Sequence, residues 1–369
     1  MKYLLVFSVA AVIFCGCCKK EYSVVLLGDL HYDKLGYHDT NIMKFKPHMD
    51  YIEGTKNKDG NFSLRNHTFW TTRSKNLSMK NVLLNEKMWQ KYVPDILDAA
   101  AFAAKENRSV FAVQLGDLIH GDCGTEALHK KNLQDAVSEL DRRFGQNVFI
   151  LCGNHDSRGP GGEAAWDSVM MPYLQSIAKN RSSVGMNYFM RIGKDLFYFH
   201  DLMNPDVDFM EKVFKENADA RYTFFFTHVI VLPMDRGSFN SILSDDFHRI
   251  FALLEKRDAI ILAAHTHRIS LTRYHNKSDG HRMSQFVLNS TVRNIEKQKN
   301  FVPDDSARRT VFQPEEFYKM LWKRYFEGKL ETPVHADGAG FAVLRISENG
   351  VYAEYHNVGQ DKPYIFKLR

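Results

Sequence analysis

Cysteine is scarce in this chain, and its scarcity excludes two classes of protein. The 369 residues contain five cysteines, and three of these, Cys15, Cys17 and Cys18, lie close to the N-terminus. The other two, Cys123 and Cys152, are too few for a disulfide-built scaffold or a cysteine-rich zinc module. Whether these two cysteines pair cannot be read from the sequence.

A strong charge of either sign is also lacking. The formal net charge is +5, and the basic residues are scattered along the chain rather than clustered. A nucleic-acid-binding surface needs a basic patch or stripe, so the sequence predicts no nucleic-acid partner. Beyond the N-terminal residues, no apolar run is long enough to span a bilayer.

The N-terminal residues have the pattern of an export signal. Lys2 precedes the apolar run YLLVFSVAAVIF and then CGCCKKEYS, and a run of this length suits a signal peptide better than a transmembrane helix. Gly16 followed by Cys17 resembles the bacterial lipoprotein signal, in which the cysteine is lipidated after cleavage, although the two residues before the glycine are untypical. We expect residues 1–18 to be a signal peptide with a lipoprotein-like cleavage region; an ordinary secretory signal is the alternative.

Either signal predicts that the mature chain is exported. We expect it in the cell envelope, on the periplasmic or outer surface, with a lipid on Cys17 as its only attachment to the membrane.

Short apolar runs alternate with amphipathic segments along the chain. YSVVLLGD, SVFAVQLGD, NVFILCGNHD, YTFFFTHV and DAIILAAHTH have the composition of strands that are buried on both faces. NEKMWQKYVPDILDAAAFAAKEN and HKKNLQDAVSELDRRFG carry apolar residues at helical spacing. This alternation predicts a layered α/β fold, and hairpin-like segments near residues 186–201 and 340–357 add antiparallel strands.

Two long polar stretches interrupt this pattern, near residues 34–80 and 291–335. Structureless loops of such length are uncommon in a compact domain. We therefore predict one domain over residues 19–369 with two insertions, which either cap the functional site or decorate the surface.

Every one of the five apolar runs ends in a side chain that can bind a metal ion. Residues i and i+2 of a strand point the same way, so Asp29 and His31 can converge on one point. In open α/β sheets ligands bind outside the carboxyl ends of the strands, where residues distant in sequence become neighbours. For any one of these histidines, a buried ring bonded to a backbone carbonyl is the structural alternative. The residues at the five strand ends are Asp29, His31, Asp117, Asn154, His155, His228, His265 and His267.

These motifs resemble those of the calcineurin-like metallophosphoesterases. GDLH, GDLIHG, GNHD, TH and AHTH follow the family order D-x-H, G-D, G-N-H-[DE], H and G-H-x-H over about residues 22–290. Ala264 stands where the family usually has glycine, which removes no ligand. The resemblance implies a layered α/β/β/α metallophosphoesterase fold, with a central β-sandwich of mixed sheets flanked by helices.

The resemblance also implies a centre of two divalent metal ions. Its oxygen and imidazole donors, with no thiolate, suit Mn, Fe, Zn or Ni. Asp29, His31 and His267 would hold the first ion, Asn154, His228 and His265 would hold the second, and Asp117 would bridge the two.

In such a centre a hydroxide between the two ions attacks phosphorus. The resemblance makes His155 the group that stabilises the transition state and donates a proton to the leaving oxygen, with Asp156 holding its tautomer; a loop or cap carboxylate is the alternative for Asp156. His120 and Arg158 are candidate substrate contacts, and a solvated loop side chain is the alternative for each. His120 stands where purple acid phosphatases carry a tyrosine ligand, so the chain does not resemble that branch.

The expected activity is hydrolysis of a phosphate ester. The motifs contact only phosphorus, so a phosphomonoester and a phosphodiester both remain open, carried by a small molecule, a nucleotide or a lipid. The alternatives are a non-catalytic metal-binding or interaction platform on the same fold, and a surface ligand-binding lipoprotein.

Overall fold

The computed structural model describes residues 21–39, 75–177, 183–184, 186–234, 246–291, 321–331, 333–336 and 338–369. The predicted signal peptide and its Cys17 lie outside these ranges, as do residues 40–74 and 292–320, which make up most of the two predicted insertions. Of the insertions, the described residues form a short 3-10 turn, Leu35–Tyr37, the start of the first helix, a π-helical turn, Trp322–Phe326, and the start of a short strand, Val334–Ala336.

The described chain forms two mixed β-sheets, and the five predicted strands are confirmed. One sheet has the order β14-β13-β12-β1-β2-β3 and the other has the order β11-β9-β10-β8-β7-β6-β5-β4, in which the strands are β1 (Glu21–Leu27), β2 (Ala112–Gln114), β3 (Val148–Ile150), β4 (Ser183–Val184), β5 (Asn187–Ile192), β6 (Asp195–Phe199), β7 (Thr223–Phe226), β8 (Ile260–Ala263), β9 (Ile269–His275), β10 (Arg282–Val287), β11 (Val334–Ala336), β12 (Gly340–Ser347), β13 (Gly350–Asn357) and β14 (Tyr364–Lys367).

Parallel pairing aligns the strand ends that matter for the site. Strands β1, β2 and β3 are parallel to one another in the first sheet, and β6, β7, β8 and β10 are parallel in the second. Both predicted hairpins are also confirmed as antiparallel pairs, β5 with β6 and β12 with β13. The fold is therefore the predicted mixed α/β architecture with two mixed sheets flanked by helices.

Six α-helices are described: α1 (Lys75–Lys91), α2 (Val93–Glu106), α3 (Glu126–Phe144), α4 (Gly162–Ile177), α5 (Val207–Glu216) and α6 (Phe247–Lys256). The first long amphipathic segment of the sequence forms two helices rather than one, because α1 ends before Pro94, which lies in the first turn of α2. In α3 the side chain of Thr125 accepts a hydrogen bond from the Leu128 amide and caps the helix.

Period-two alternation in the strands divides the core into two hydrophobic clusters. In β7, Phe224 and Phe226 lie in the cluster shared with the first sheet, whereas Phe225 faces the cluster formed with α5 and α6. A buried hydrogen bond of 2.6 Å from the Tyr22 hydroxyl to Asp195 Oδ2 joins β1 to β6 across the two sheets. The sheets are thus held face to face by aromatic packing and by this polar contact.

Cys123 and Cys152 are both buried free thiols, so they do not form a disulfide bond with each other. Among the described residues, no helix is both long and apolar enough to cross a membrane.

Candidate metal centre

The first group of ligand atoms comes from the ends of three strands. Asp29 and His31 follow β1, Asp117 follows β2 and His267 follows β8, and one donor atom of each lies within 4.8 Å of the others. His31 Nε2 is 3.1 Å from His267 Nε2 and 3.9 Å from Asp117 Oδ2. These four side chains have the types and spacing of a site for one cation.

The second group lies on the other side of Asp117. One donor atom each of Asp117, His228 and His265 lies within 4.8 Å of the others, and His228 Nε2 is 3.4 Å from Asp117 Oδ1. Asn154 Oδ1 is 3.1 Å from the same His228 nitrogen, and His265 Nδ1 is 3.2 Å from it. One carboxylate therefore serves both groups, with Oδ2 toward the first and Oδ1 toward the second.

Backbone strain concentrates at this centre. Of the seven described non-glycine residues with a left-handed backbone, four are predicted ligands: His31 at φ 46°, Asp117 at φ 55°, His265 at φ 69° and His267 at φ 54°. This conformation costs a residue with a Cβ atom roughly 1–2 kcal/mol. Packing and hydrogen bonds elsewhere hold these residues in strained turns, as is common at functional sites.

Two glycines of the motifs are required by close packing behind the ligands. A Cβ atom on Gly116 would lie 2.5 Å from Nδ1 of His228, and Gly116 itself has φ +93°. A Cβ atom on Gly153 would lie 2.3 Å from Asp117 Oδ1. The G-D and G-N-H motifs therefore carry glycine because the backbone approaches the side chain of a predicted ligand directly.

The donor set fits divalent ions. Asp29 is fully buried, and its Oδ1 atom has no hydrogen-bond partner among the described residues, which is costly unless a cation or proton satisfies it. That oxygen lies 3.9 Å from His267 Nε2, and the His267 side chain is 38% exposed. Carboxylate, amide oxygen and imidazole donors without thiolate suit Mn, Fe, Zn or Ni.

Strong electrostatic coupling runs through the centre. Burial opposes the charge of both Asp117 and His228, but their attraction holds the pKa of Asp117 well below its ordinary value and raises that of His228 to about 9. Burial, with the charge of His228, lowers the pKa of His265 to about 3, and burial raises the pKa of Asp29 to about 6. Because ligands must lose their protons, metal binding here would release protons.

The contacts of His155 define its tautomer. Its Nδ1 lies 2.8 Å from the His120 carbonyl oxygen, which can only accept, and its Nε2 lies 2.9 Å from Nη1 of Arg158, which can only donate. Nδ1 therefore carries the proton and Nε2 presents a lone pair. Burial and the Arg158 charge lower the pKa of His155 well below its usual value, in agreement with a neutral ring. The resemblance makes His155 a proton donor, but in this structure its Nε2 is an acceptor.

The predicted contact between Asp156 and the His155 ring is wrong. Asp156 is fully buried, and its oxygens accept hydrogen bonds from the amides of Ile119 at 2.9 Å and Gly153 at 2.8 Å. The carbonyl of His120 takes the place expected for the carboxylate. Asp156 links the GDLIHG loop to the GNHD loop, because it accepts one hydrogen bond from an amide of each loop.

His120 and Arg158, the two candidate substrate contacts, lie beside His155. A ring nitrogen of His120 lies within 4.8 Å of ring nitrogens of His31 and His155, and the His120 side chain is buried. Arg158 Nη2 lies 2.6 Å from Asp122 Oδ2, and the arginine side chain is 14% exposed. Both residues therefore border the metal centre rather than projecting into solvent.

Sequence reasoning missed several partners that hold the ligands. The Leu115 carbonyl accepts a hydrogen bond of 2.8 Å from His228 Nδ1, which leaves Nε2 to face the second group. Asp122 pairs with Arg158, and His129 on α3 contacts the Asp156 carbonyl at 2.6 Å. Backbone carbonyls leave no signal in a sequence, but Asp122, one residue after GDLIHG, could have been considered as a partner for Arg158.

A family model described as "Calcineurin-like phosphoesterase" matches residues 22–269, which are most of the chain. No curated protein gives a significant match. Among solved structures the chain is similar to a dimetal phosphatase from Danio rerio, with 12% identity and a TM-score of 0.48 over 94% of this chain and 99% of that one. It is also similar to GAP50, described as the anchor in the inner membrane complex of Plasmodium, with 12% identity and a TM-score of 0.48 over 95% and 89% of the two chains. A third similar structure is PhoD, with 10% identity and a TM-score of 0.47 over 94% and 68%.

Proposed function

Because the chain belongs to the calcineurin-like phosphoesterase family, we propose that it is a dinuclear metal-dependent hydrolase of phosphate esters. Asp117 is the observation that carries this proposal. Its Oδ2 lies 3.9 Å from His31 Nε2 in the first group, and its Oδ1 lies 3.4 Å from His228 Nε2 in the second. A single buried carboxylate directed at two ligand groups is the arrangement that a bridged pair of ions requires.

Two groups of side chains in this chain would each hold one ion. Asp29, His31 and His267 would hold one ion, Asn154, His228 and His265 would hold the other, and Asp117 would be shared by both. Two bound divalent ions supply Lewis acidity at the phosphoryl oxygens and a water acidic enough to be a nucleophile near neutral pH.

The residues around the ions position and complement the substrate. His155 stands with its ring centroid 4.7 Å from that of His31 and its amide bonded to Asp117 Oδ1 at 2.8 Å, so it borders the place where phosphoryl charge develops. His155 can polarise or protonate the leaving oxygen only if Nε2 gains a proton and the hydrogen bond from Arg158 Nη1 to Nε2 is broken. Asp156 supports this role by holding the backbone of both motif loops.

We also propose where the protein is located in the cell. The N-terminal pattern supports export to the cell envelope and a lipid on Cys17. Mass spectrometry of the mature N-terminus tests this: a diacylated Cys17 is the expected result, and an unmodified N-terminus beyond the signal contradicts it.

The activity is tested on the chain from residue 19, stripped of metal and then given Mn, Zn, Fe or Ni. A chromogenic phosphomonoester and its diester analogue are assayed in parallel. We expect at least one metal to restore turnover, and Asn154→Ala and His155→Ala to abolish it. If no metal restores turnover and mass spectrometry finds no bound ions, the ligand assignment fails and a non-catalytic platform becomes the better account.

A further inference from the structure

The guanidinium of Arg158 contacts polar groups beside the candidate metal centre. Nη1 donates to Nε2 of His155 at 2.9 Å, Nη2 donates to the His120 carbonyl at 3.2 Å, and Nη2 pairs with Asp122 Oδ2 at 2.6 Å. The guanidinium is thus bonded to the same ring and the same carbonyl that define the tautomer of His155. These contacts with His155, the His120 carbonyl and Asp122 therefore determine the position of the guanidinium.

The loop that carries Arg158 is fastened to the loop that carries Asp122. The Asp122 amide donates to the Arg158 carbonyl at 2.8 Å. A Cβ atom on Gly121 would lie 2.2 Å from the His155 carbonyl oxygen, so the two backbones approach too closely for any other residue. The Asp122 carbonyl is itself bonded at 3.1 Å to Nδ1 of the buried His38. This arrangement positions the guanidinium before any substrate arrives.

The charge of Arg158 therefore faces the metal centre across a single imidazole. The His155 ring packs edge-on to the His31 ring, with centroids 4.7 Å apart. A phosphoryl group held at the ligand groups would lie against the face that His155 and Arg158 share. The Arg158 side chain is 14% exposed, so little of it reaches solvent.

In-line displacement at phosphorus gives a monoester and a diester different sets of equatorial oxygens, which an arginine in this position can distinguish. Attacking and leaving oxygens take the two apical positions at phosphorus, and three oxygens remain in the equatorial plane. In a monoester all three equatorial oxygens are unsubstituted and can accept hydrogen bonds. In a diester one of them carries carbon, has lost its charge and is a poor partner for guanidinium.

We propose that Arg158 is a specificity-determining residue that binds the third, unsubstituted phosphoryl oxygen and makes the enzyme a phosphomonoesterase. The inference rests on the proposed function and narrows its substrate class. Substrate displaces the guanidinium from the lone pair of His155 to a phosphoryl oxygen nearby, while Asp122 keeps the arginine at the site.

The test compares a monoester and a diester of the same chromogenic alcohol on the metal-loaded enzyme and on Arg158→Gln. We expect kcat/KM for the monoester to fall about 100-fold, the usual scale for losing one donor to a developing oxyanion, and kcat/KM for the diester to change less than about threefold. Arg158→Lys keeps the charge but loses the planar, two-pronged guanidinium. Its kcat/KM for the monoester should lie between those of the wild type and Arg158→Gln. Arg142→Gln, an exposed change on α3, is the control and should match the wild type.

A binding measurement separates this inference from the activity. By calorimetry, Arg158→Gln should weaken inorganic phosphate at least about tenfold and leave dimethyl phosphate unchanged. Equal losses for both esters and both anions would overturn the role of Arg158 while the hydrolase remains. A wild type that turns over neither ester and retains no bound ions contradicts the proposed function, and the calorimetric comparison then still decides whether Arg158 discriminates between the two anions. If Arg158→Gln misfolds by circular dichroism, the Lys variant supplies the same comparisons.

Discussion

The Nε2 atoms of His31 and His267 lie 3.1 Å apart although the two residues are 236 positions apart in the chain. Their rings are nearly stacked, with an interplanar angle of 27°, so both nitrogens point toward a common place. Both residues also have left-handed backbones. His31 follows β1 of the first sheet, and His267 follows β8 of the second. Their strained backbones allow the two side chains to point toward each other.

Loss of the shared carboxylate should empty both ion sites. In Asp117→Asn the amide keeps the shape of the side chain but replaces one ligand oxygen by a donor group. We expect the affinity for both ions to fall by about 100-fold or more, read as metal content by mass spectrometry after dialysis. Asp219→Asn, an exposed acid paired with Arg191, is the matched control. Two ions retained by Asp117→Asn would contradict the bridging role.

Gly116→Ala should disturb the second ion site through His228. The new Cβ atom would lie 2.5 Å from Nδ1 of that ring, at φ +93°. Left-handed strain and overpacking together predict a loss of about 3 kcal/mol in the free energy of unfolding, together with weaker binding of one ion. The control is Gly193→Ala, which also has a positive φ, +58°, but meets nothing within 4 Å. It should cost only about 1 kcal/mol and leave metal binding intact. Equal effects of the two variants would show that strain alone, not His228, is responsible.

Asp195→Ala should loosen the contact between the sheets. Asp195 is fully buried and accepts hydrogen bonds from the Tyr22 hydroxyl at 2.6 Å and from Arg221 Nε at 2.9 Å. Truncation leaves these donors unsatisfied, so urea denaturation should show a loss of about 3–5 kcal/mol. The same truncation at exposed Asp219 should leave the urea midpoint almost unchanged. A small effect at Asp195 would mean that water replaces the carboxylate.

His200 should make the fold less stable in acid. Burial lowers the pKa of His200 to about 4, and its Nδ1 has no hydrogen-bond partner among the described residues. An unfolded histidine has a pKa near 6.5, so between about pH 6.5 and pH 4 the unfolded chain binds the proton and the folded chain does not. Stability is therefore lost as the pH falls through this window, by about 3 kcal/mol in total.

The variant His200→Phe isolates that contribution. Its free energy of unfolding should lose less than that of the wild type between pH 7.5 and pH 4, measured by urea denaturation at each pH. The two curves should differ by a nearly constant amount above pH 7 and diverge below pH 6.5. Parallel curves across the whole range would show that His200 does not set the acid sensitivity.

The strands of the site were predictable because each is an apolar run with a polar end. YTFFFTHV, for example, predicts both the strand β7 and the candidate ligand His228, since a buried strand must be apolar and a parallel sheet collects such ends at one edge. The break between α1 and α2 was not predicted, although Pro94 in the first turn of α2 is a signal for it. The strand ends therefore predicted which residues meet.

The partners of those residues were not predictable in the same way. Asp156 was expected to hold the His155 ring, but the His120 carbonyl does so, because every residue has a carbonyl and no pattern marks which one is used. The link from Arg158 to Asp122 depends on how two loops lie together. Such pairings arise from tertiary structure and have no period or motif of their own.

A manganese titration tests the central claim most directly. Metal-free protein is titrated with Mn²⁺ while hydrolysis of a chromogenic phosphomonoester is recorded, and bound ions are counted at each step. The account predicts that turnover reaches its plateau at two ions per chain, and that Asp117→Asn reaches no plateau in the same range. Full turnover with one ion per chain, or turnover that is independent of bound metal, would contradict it.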